Sequence, residues 1–265
     1  MLISLLACVT ENSLQVVDDP MEEVPSGLSD AADPGLGDVA APALAAPRVV
    51  PVGVVRPDVV EQAAERAIEA GCGPYAAATV SGSAALYTFD DDGLGIGELT
   101  TEVVGSTMRD GVKVWEVRET GTAEADDGSH RWESHLFHTC DADGLHLLET
   151  RMVNHIPSPE GDRTDISVRT FDPPLRVWTR DLTPGSSWDV HTAVHEVRGD
   201  GNERTFRIDA TRSVEPVTIT GDAGTFNGVR VTETTKDGNE VTFDLAPGVG
   251  VVRAPGRELV GYSLD

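Results

Sequence analysis

The chain has 265 residues and a formal net charge of −25, from 45 acidic against 20 basic side chains. A phosphate backbone would be repelled, and the densest arginine group (Arg198, Arg204, Arg207, Arg212) has Glu196, Asp200, Glu203 and Asp209 among it, so no nucleic-acid partner is expected. Apolar residues make up 39% and aromatics 5%, which leaves Val, Leu and Ala to carry the burial and implies a thin core.

In chain order, Met1–Cys8 is an apolar run closed by Leu5-Leu6-Ala7-Cys8. It resembles a bacterial lipobox, in which a small residue before the cysteine admits a signal peptidase and acyl chains on that cysteine then anchor the protein. Only seven residues precede Cys8, and none is Lys or Arg, whereas a signal peptide carries a basic start and a longer apolar stretch. Two readings stay open: lipid attachment at Cys8, or a plain cysteine near a terminus. Residues 9–55 are rich in Asp, Glu, Pro, Ala and Gly and are expected to form a disordered acidic tether, spanning about 35–40 Å as a flexible coil. Thr10, in place of Asp two residues after Cys8, favours the outer membrane by resemblance to the sorting rule of enteric bacteria.

Residues 56–265 remain for folding. Within 56–71 the pattern predicts a helix: Pro57 at its start, Asp58 and Glu61 in the first turn, and Gly71 just past its end. Val60, Ala63, Ala64, Ala67 and Ile68 would form one face, small enough to approach a sheet closely. Strands are then expected at 84–90, 98–107, 112–121, 130–140, 145–154, 164–171, 187–197 and 205–214, followed by a three-part ladder in Val217–Val252. Most of these runs alternate. Trp188, Val190 and Val194 oppose Asp189, His191 and His195, while Phe206, Ile208 and Ala210 oppose Arg207, Asp209 and Thr211, as in a sheet with one dry face and one wet face. Asp-Gly pairs at 92–93, 110–111, 127–128, 143–144, 200–201 and 237–238 mark hairpin turns, and hence an antiparallel meander.

This order of helix, meander, Gly185-Ser186-Ser187-Trp188, the Gly221–Val231 segment and Leu245–Val252 resembles bacterial envelope lipoproteins of unknown function, similar to the half-barrel proteins related to lipoprotein-localisation factors. The resemblance implies a mainly β fold, a single long antiparallel meander curled as a half barrel over one N-terminal helix, in a cell-envelope compartment. Few large apolar residues are available to line a lipid-sized cavity.

Cys72 and Cys140 are the remaining cysteines. Paired, they would close a loop of about 68 residues, worth about 4 kcal/mol in the chain-entropy model; the alternative is two buried thiols. His130, His135, His138 and His146 fall on two neighbouring strands, and His191 and His195 share a strand face. Strand residues four apart are about 13 Å apart, too far to share one ion. Solvent-facing histidines are therefore expected, with no metal and no cofactor. Asp90–Gly93 and Asp141–Gly144 superficially resemble calcium loops but lack the completing Glu and flanking helices, and read as hairpin turns. No nucleophile, zinc or phosphate-loop motif is present, so a non-catalytic role is expected. The leading expectation is a lipid-anchored protein holding an apolar ligand or partner segment on a concave sheet face, with Trp115, Trp132, Leu136, Leu148 and Val168 as candidate ligand-facing residues. Alternatives are an assembly lipoprotein that holds another envelope protein and has a filled core, or a metal-binding or hydrolytic domain.

Overall fold

The computed structural model describes residues 44, 46–91, 95–125, 128–156 and 163–265. Cys8 and most of the expected tether lie outside the described residues. One helix, α1 (Pro57–Glu69), and a short 3-10 turn (Ala77–Thr79) precede twelve strands. These are β1 (Ser83–Asp91), β2 (Gly95–Arg109), β3 (Val112–Ala125), β4 (Gly128–Cys140), β5 (Gly144–Ile156) and β6 (Arg163–Thr179). The remainder are β7 (Ser187–Arg198), β8 (Glu203–Gly221), β9 (Gly224–Thr235), β10 (Glu240–Ala246), β11 (Gly250–Ala254) and β12 (Arg257–Leu264).

Each strand pairs antiparallel with its neighbours in the chain, and β12 returns to β1, closing a twelve-stranded barrel. This corrects the expected open half barrel. The closing register runs from Ser83 opposite Leu264 to Phe89 opposite Arg257. The physical reason is that an open meander leaves two rows of unpaired backbone donors and acceptors, and closure removes both edges.

Side-chain alternation builds the wall. Along β7, Trp188, Val190, Thr192, Val194 and Glu196 are buried, whereas Asp189, His191 and His195 are exposed; on β8, Ile208, Ala210, Arg212 and Val214 are buried, and Arg207, Thr211 and Glu215 are exposed. The dry and wet faces expected from these runs are present. Along these two strands the exposed face is mainly polar and the buried face mainly hydrocarbon, the reverse of a barrel whose outer band faces acyl chains. Strand β6 runs on past the expected end at Phe171, through Pro173 and Pro174. The prolines fall where β5–β6 pairing jumps from Glu149–Thr170 to Leu147–Leu175, so the missing N–H groups break no ladder bond.

Helix α1 follows its start and stop signals. Ala63 and Ala67 are fully buried, but Ile68, expected on the same face, is 52% exposed. The all-alanine contact lets backbone approach backbone: a Cβ on Gly248 would lie 2.2 Å from the Val60 carbonyl oxygen. Residues 46–55, assigned to the tether by composition, instead run along the barrel. Gly53 N–H donates to the Val260 carbonyl at 2.9 Å and Val55 N–H to that of Ala223 at 2.8 Å. Val50 is buried with Ala84, Leu86 and Val260. Two main-chain bonds and two buried valines outweigh the polar composition there.

Candidate ligand cavity inside the barrel

Beneath the segment that links α1 to β1 lies a cavity of about 80 Å³. Its walls are hydrocarbon from several strands, among them Val103, Val117, Leu145, Leu175, Val177 and Phe243, with Trp178 beside them. Tyr75, Ala77 and Ala78 complete the lining from the linking segment. The ladder divides: Ile219, Phe226, Ala246, Val249 and Val252 cluster with Ala63 and Ala67 of α1, whereas Val241, Phe243 and Leu245 do not. Phe243 borders the cavity, and Leu245 and Val241 pack in the same apolar cluster, while Ala63 and Ala67 of α1 belong to another.

The linking segment is pinned from several directions. Cys72 and Cys140 form a disulfide with a Cα–Cα distance of 5.4 Å, which joins it to the end of β4. The Gly248 N–H donates to the Pro74 carbonyl at 2.7 Å, and the Thr79 hydroxyl to that of Ala76 at 2.8 Å. Gly73 has a φ of +84°, and a Cβ there would lie 2.0 Å from the Arg180 carbonyl oxygen. Both the left-handed conformation and the close approach require glycine.

Most polar groups around the cavity are satisfied. The Tyr87 hydroxyl donates to the Val251 carbonyl at 2.9 Å, and the Tyr262 hydroxyl to that of Gly248 at 3.0 Å; burial pushes the Tyr262 phenol up to about 12. The one charged side chain in the lining is Arg212. Its Nε donates to Glu233 at 2.7 Å, and one terminal nitrogen donates to the Val177 and Arg176 carbonyls at 2.6 and 3.0 Å. Its charge is neutralised and its donors are largely occupied.

Two groups differ. Thr101 Oγ1 and His138 Nδ1 are enclosed and find no partner in the protein. His138 is 4% exposed, and burial lowers its pKa to about 4, against the opposing pull of a hydrogen bond to the His146 backbone. The imidazole is therefore neutral at pH 7, and His138 lines the cavity. A buried polar atom without a partner costs about 1–3 kcal/mol.

Of the five residues expected to face a ligand, none lines this cavity. Trp115 and Leu136 are buried in the surrounding apolar cluster, and Trp115 pairs directly with His138 across β3 and β4. Trp132 lies over Gly121, where a Cβ would fall 2.0 Å from the indole, and packs on Phe89 with ring centroids 5.5 Å apart. Leu148 is half-buried at the shift between Leu147 and Glu149. Val168 is half-buried, on the opposite side of β6 from Phe171.

The burial of His138 corrects the expectation of solvent-facing histidines. His138 shares strand parity with Trp132, Ser134 and Leu136, all buried, while His135 bonds the exposed-side Glu116 and Glu133 at 2.7 and 2.8 Å. Among the described residues no three His, Cys, Asp or Glu side chains converge on a metal position. In the Asp141–Gly144 turn the Asp141 carboxylate accepts from the Asp143 and Gly144 N–H groups at 2.8 and 3.2 Å and from His146 at 2.9 Å, a self-contained hairpin turn. Asp92 and Gly93 of the other acidic run lie outside the described residues. Compared with known proteins, the chain matches no family model, and no curated protein or solved structure matches it.

Proposed function

We propose that this is a lipid-anchored cell-envelope protein with a non-catalytic role, whose barrel holds a small, mainly apolar molecule. The single observation that carries the reading is the cavity inside the barrel: mainly hydrocarbon walls drawn from the strands and the linking segment, with a few polar side chains among them. Small-molecule sites have this composition. The envelope part rests on the Leu5–Cys8 run and is supported by the Cys72–Cys140 disulfide, since such bonds persist in oxidising compartments.

The test is organic extraction of the purified full-length protein, followed by mass spectrometry, alongside an Ala85→Leu variant. Ala85 borders the cavity, so the larger side chain should displace the molecule. A stoichiometric compound in wild type that is lost from the variant supports the reading; extracts that match a blank, or compounds unaffected by the variant, overturn it. The anchor is tested by palmitate labelling, which should vanish in Cys8→Ser.

A second reading, an assembly lipoprotein that holds another envelope protein, is favoured by the β2–β3 hairpin. Val104, Met108 and Val112 there are 54%, 66% and 47% exposed. Substituting all three with Ser should abolish co-purification of a partner if this reading is correct, and leave the extracted molecule unchanged.

A further inference from the structure

The barrel wall is incomplete along one seam, and the N-terminal segment closes it. We propose that residues 46–69 form a plug over the β11–β12 seam, and that the small apolar molecule enters and leaves the cavity there when the plug swings out about the Cys72–Cys140 disulfide. This rests on the interior being a ligand site.

The seam is defined by where the ladder stops. Strand β12 pairs with β1 from Ser83–Leu264 to Phe89–Arg257, but with β11 only at Arg253–Glu258 and Ala254–Arg257, beside their shared turn. Further down, Gly250–Val252 and Leu259–Leu264 have no register between them among the described residues. Carbonyls flanking this stretch are held from outside the ladder: that of Val251 accepts from the Tyr87 hydroxyl at 2.9 Å, and that of Val260 from the Gly53 N–H at 2.9 Å. The cavity lies directly behind, since Val249, Gly250 and Val251 line it from one side of the seam and Tyr262 from the other.

Residues 46–69 span the same stretch. The Val60 carbonyl abuts Gly248, just before β11, and Arg66 donates to the Asp265 carbonyl, just after β12, at 3.0 Å. Helix α1 therefore crosses the unpaired end of the seam. The strap upstream of it is seated on the outer wall: Val50 packs with Ala84, Leu86 and Val260, and Arg48 donates to the Gly82 carbonyl at 3.2 Å and to Asp265 at 2.7 Å. Gly261 shows that the seat is built for the strap. Its φ lies outside the left-handed region, so the backbone there does not require glycine, yet a Cβ would fall 2.2 Å from the Pro51 carbonyl oxygen.

The plug is lightly held. Its buried apolar side chains are Val50, Val55, Ala63 and Ala67, while Val49, Val52, Val54 and Ile68 are exposed. An element with so little buried hydrocarbon opens locally well before the wall unfolds. The disulfide at Cys72, just beyond α1, keeps the released plug attached to the end of β4.

The experiment is exchange of n-pentane with the full-length protein, read by ligand-observed NMR, in wild type, Gly261→Ala and Val50→Ser. The first variant pushes the strap off β12 and the second removes its buried anchor; neither residue lines the cavity. Both should exchange n-pentane about tenfold faster than wild type, with affinity changed by less than about twofold. Faster exchange in either folded variant supports the plug; unchanged exchange in both overturns it while the ligand site stands. If wild type binds no n-pentane, the interior is not an apolar ligand site, and both readings fall together.

Discussion

Two parts of the barrel interior handle buried polar groups in opposite ways. On the β7–β9 side the buried charges are paired, although Trp188 Nε1 has no partner. Glu196, 1% exposed, accepts from Arg169 at 2.7 Å, from Arg198 at 3.2 Å and from Arg204. Burial alone would raise its pKa, yet the guanidiniums of Arg169 and Arg204 hold it below the usual carboxylate range. Arg212 and Glu233, both buried, complete each other in the same way. Around the cavity, by contrast, His138 and Thr101 keep polar atoms without partners. A paired network contributes to a unique fold, since losing any member strands a charge, whereas an unpaired polar atom costs stability.

That contrast can be broken at its strongest point first. Glu233→Ala leaves Arg212 buried and uncompensated and should destabilise the protein by as much as ~5 kcal/mol, read as a shift in the urea midpoint; a loss under ~1 kcal/mol would mean that water reaches the guanidinium. Replacing Cys72 and Cys140 together by Ser frees the linking segment and should cost about 4 kcal/mol in the chain-entropy model. The same variant should release the extracted molecule, because the segment that covers the cavity loses its tie to β4.

A smaller effect sharpens the comparison through pH. His138 titrates near 4 in the folded chain against 6.5 for an ordinary histidine. Between these values the unfolded chain binds the extra proton, so stability is full above about pH 6.5 and declines towards pH 4, by up to about 3 kcal/mol. Glu196 acts in the same direction at lower pH, because a depressed carboxylate loses its contribution as it protonates. His138→Leu should therefore narrow the gap in urea midpoint between pH 7 and pH 4.5; an unchanged gap would remove His138 from the acid response. The least sensitive position is the surface pair Lys236–Asp209, 2.7 Å apart with Lys236 71% exposed. Lys236→Ala should stay within about 0.5 kcal/mol, and a larger change would show that outer-face pairs also hold the wall.

Much of the wall was legible before any coordinates. The Trp188–Val194 and Phe206–Ala210 alternations, the turns at Asp110-Gly111 and Asp143-Gly144, and the Pro57 and Gly71 helix signals all describe local preferences, and local preference suffices when each residue either faces water or does not. The Cys72–Cys140 pairing was one of two open readings, and the disulfide resolves it. The candidate ligand-facing set was poorly legible because it was chosen by size. Large aromatics such as Trp115 and Trp132 fill space against neighbours, as Trp132 does over Gly121, whereas a cavity survives where residues such as Ala77, Ala78 and Ala85 fall short of meeting.

The amino-acid order by itself determined that the chain is an antiparallel meander with one alanine-faced helix, because hydrophobic period and turn chemistry act over a few residues. Only the tertiary structure decided that β12 returns to β1, that residues 46–55 run along the wall, and that His138 is buried beside the cavity. Those outcomes depend on strand tilt, on accumulated register shifts such as those along β5 and β6, and on contacts between residues more than a hundred positions apart, such as Tyr87 with Val251. No local pattern encodes where such partners meet.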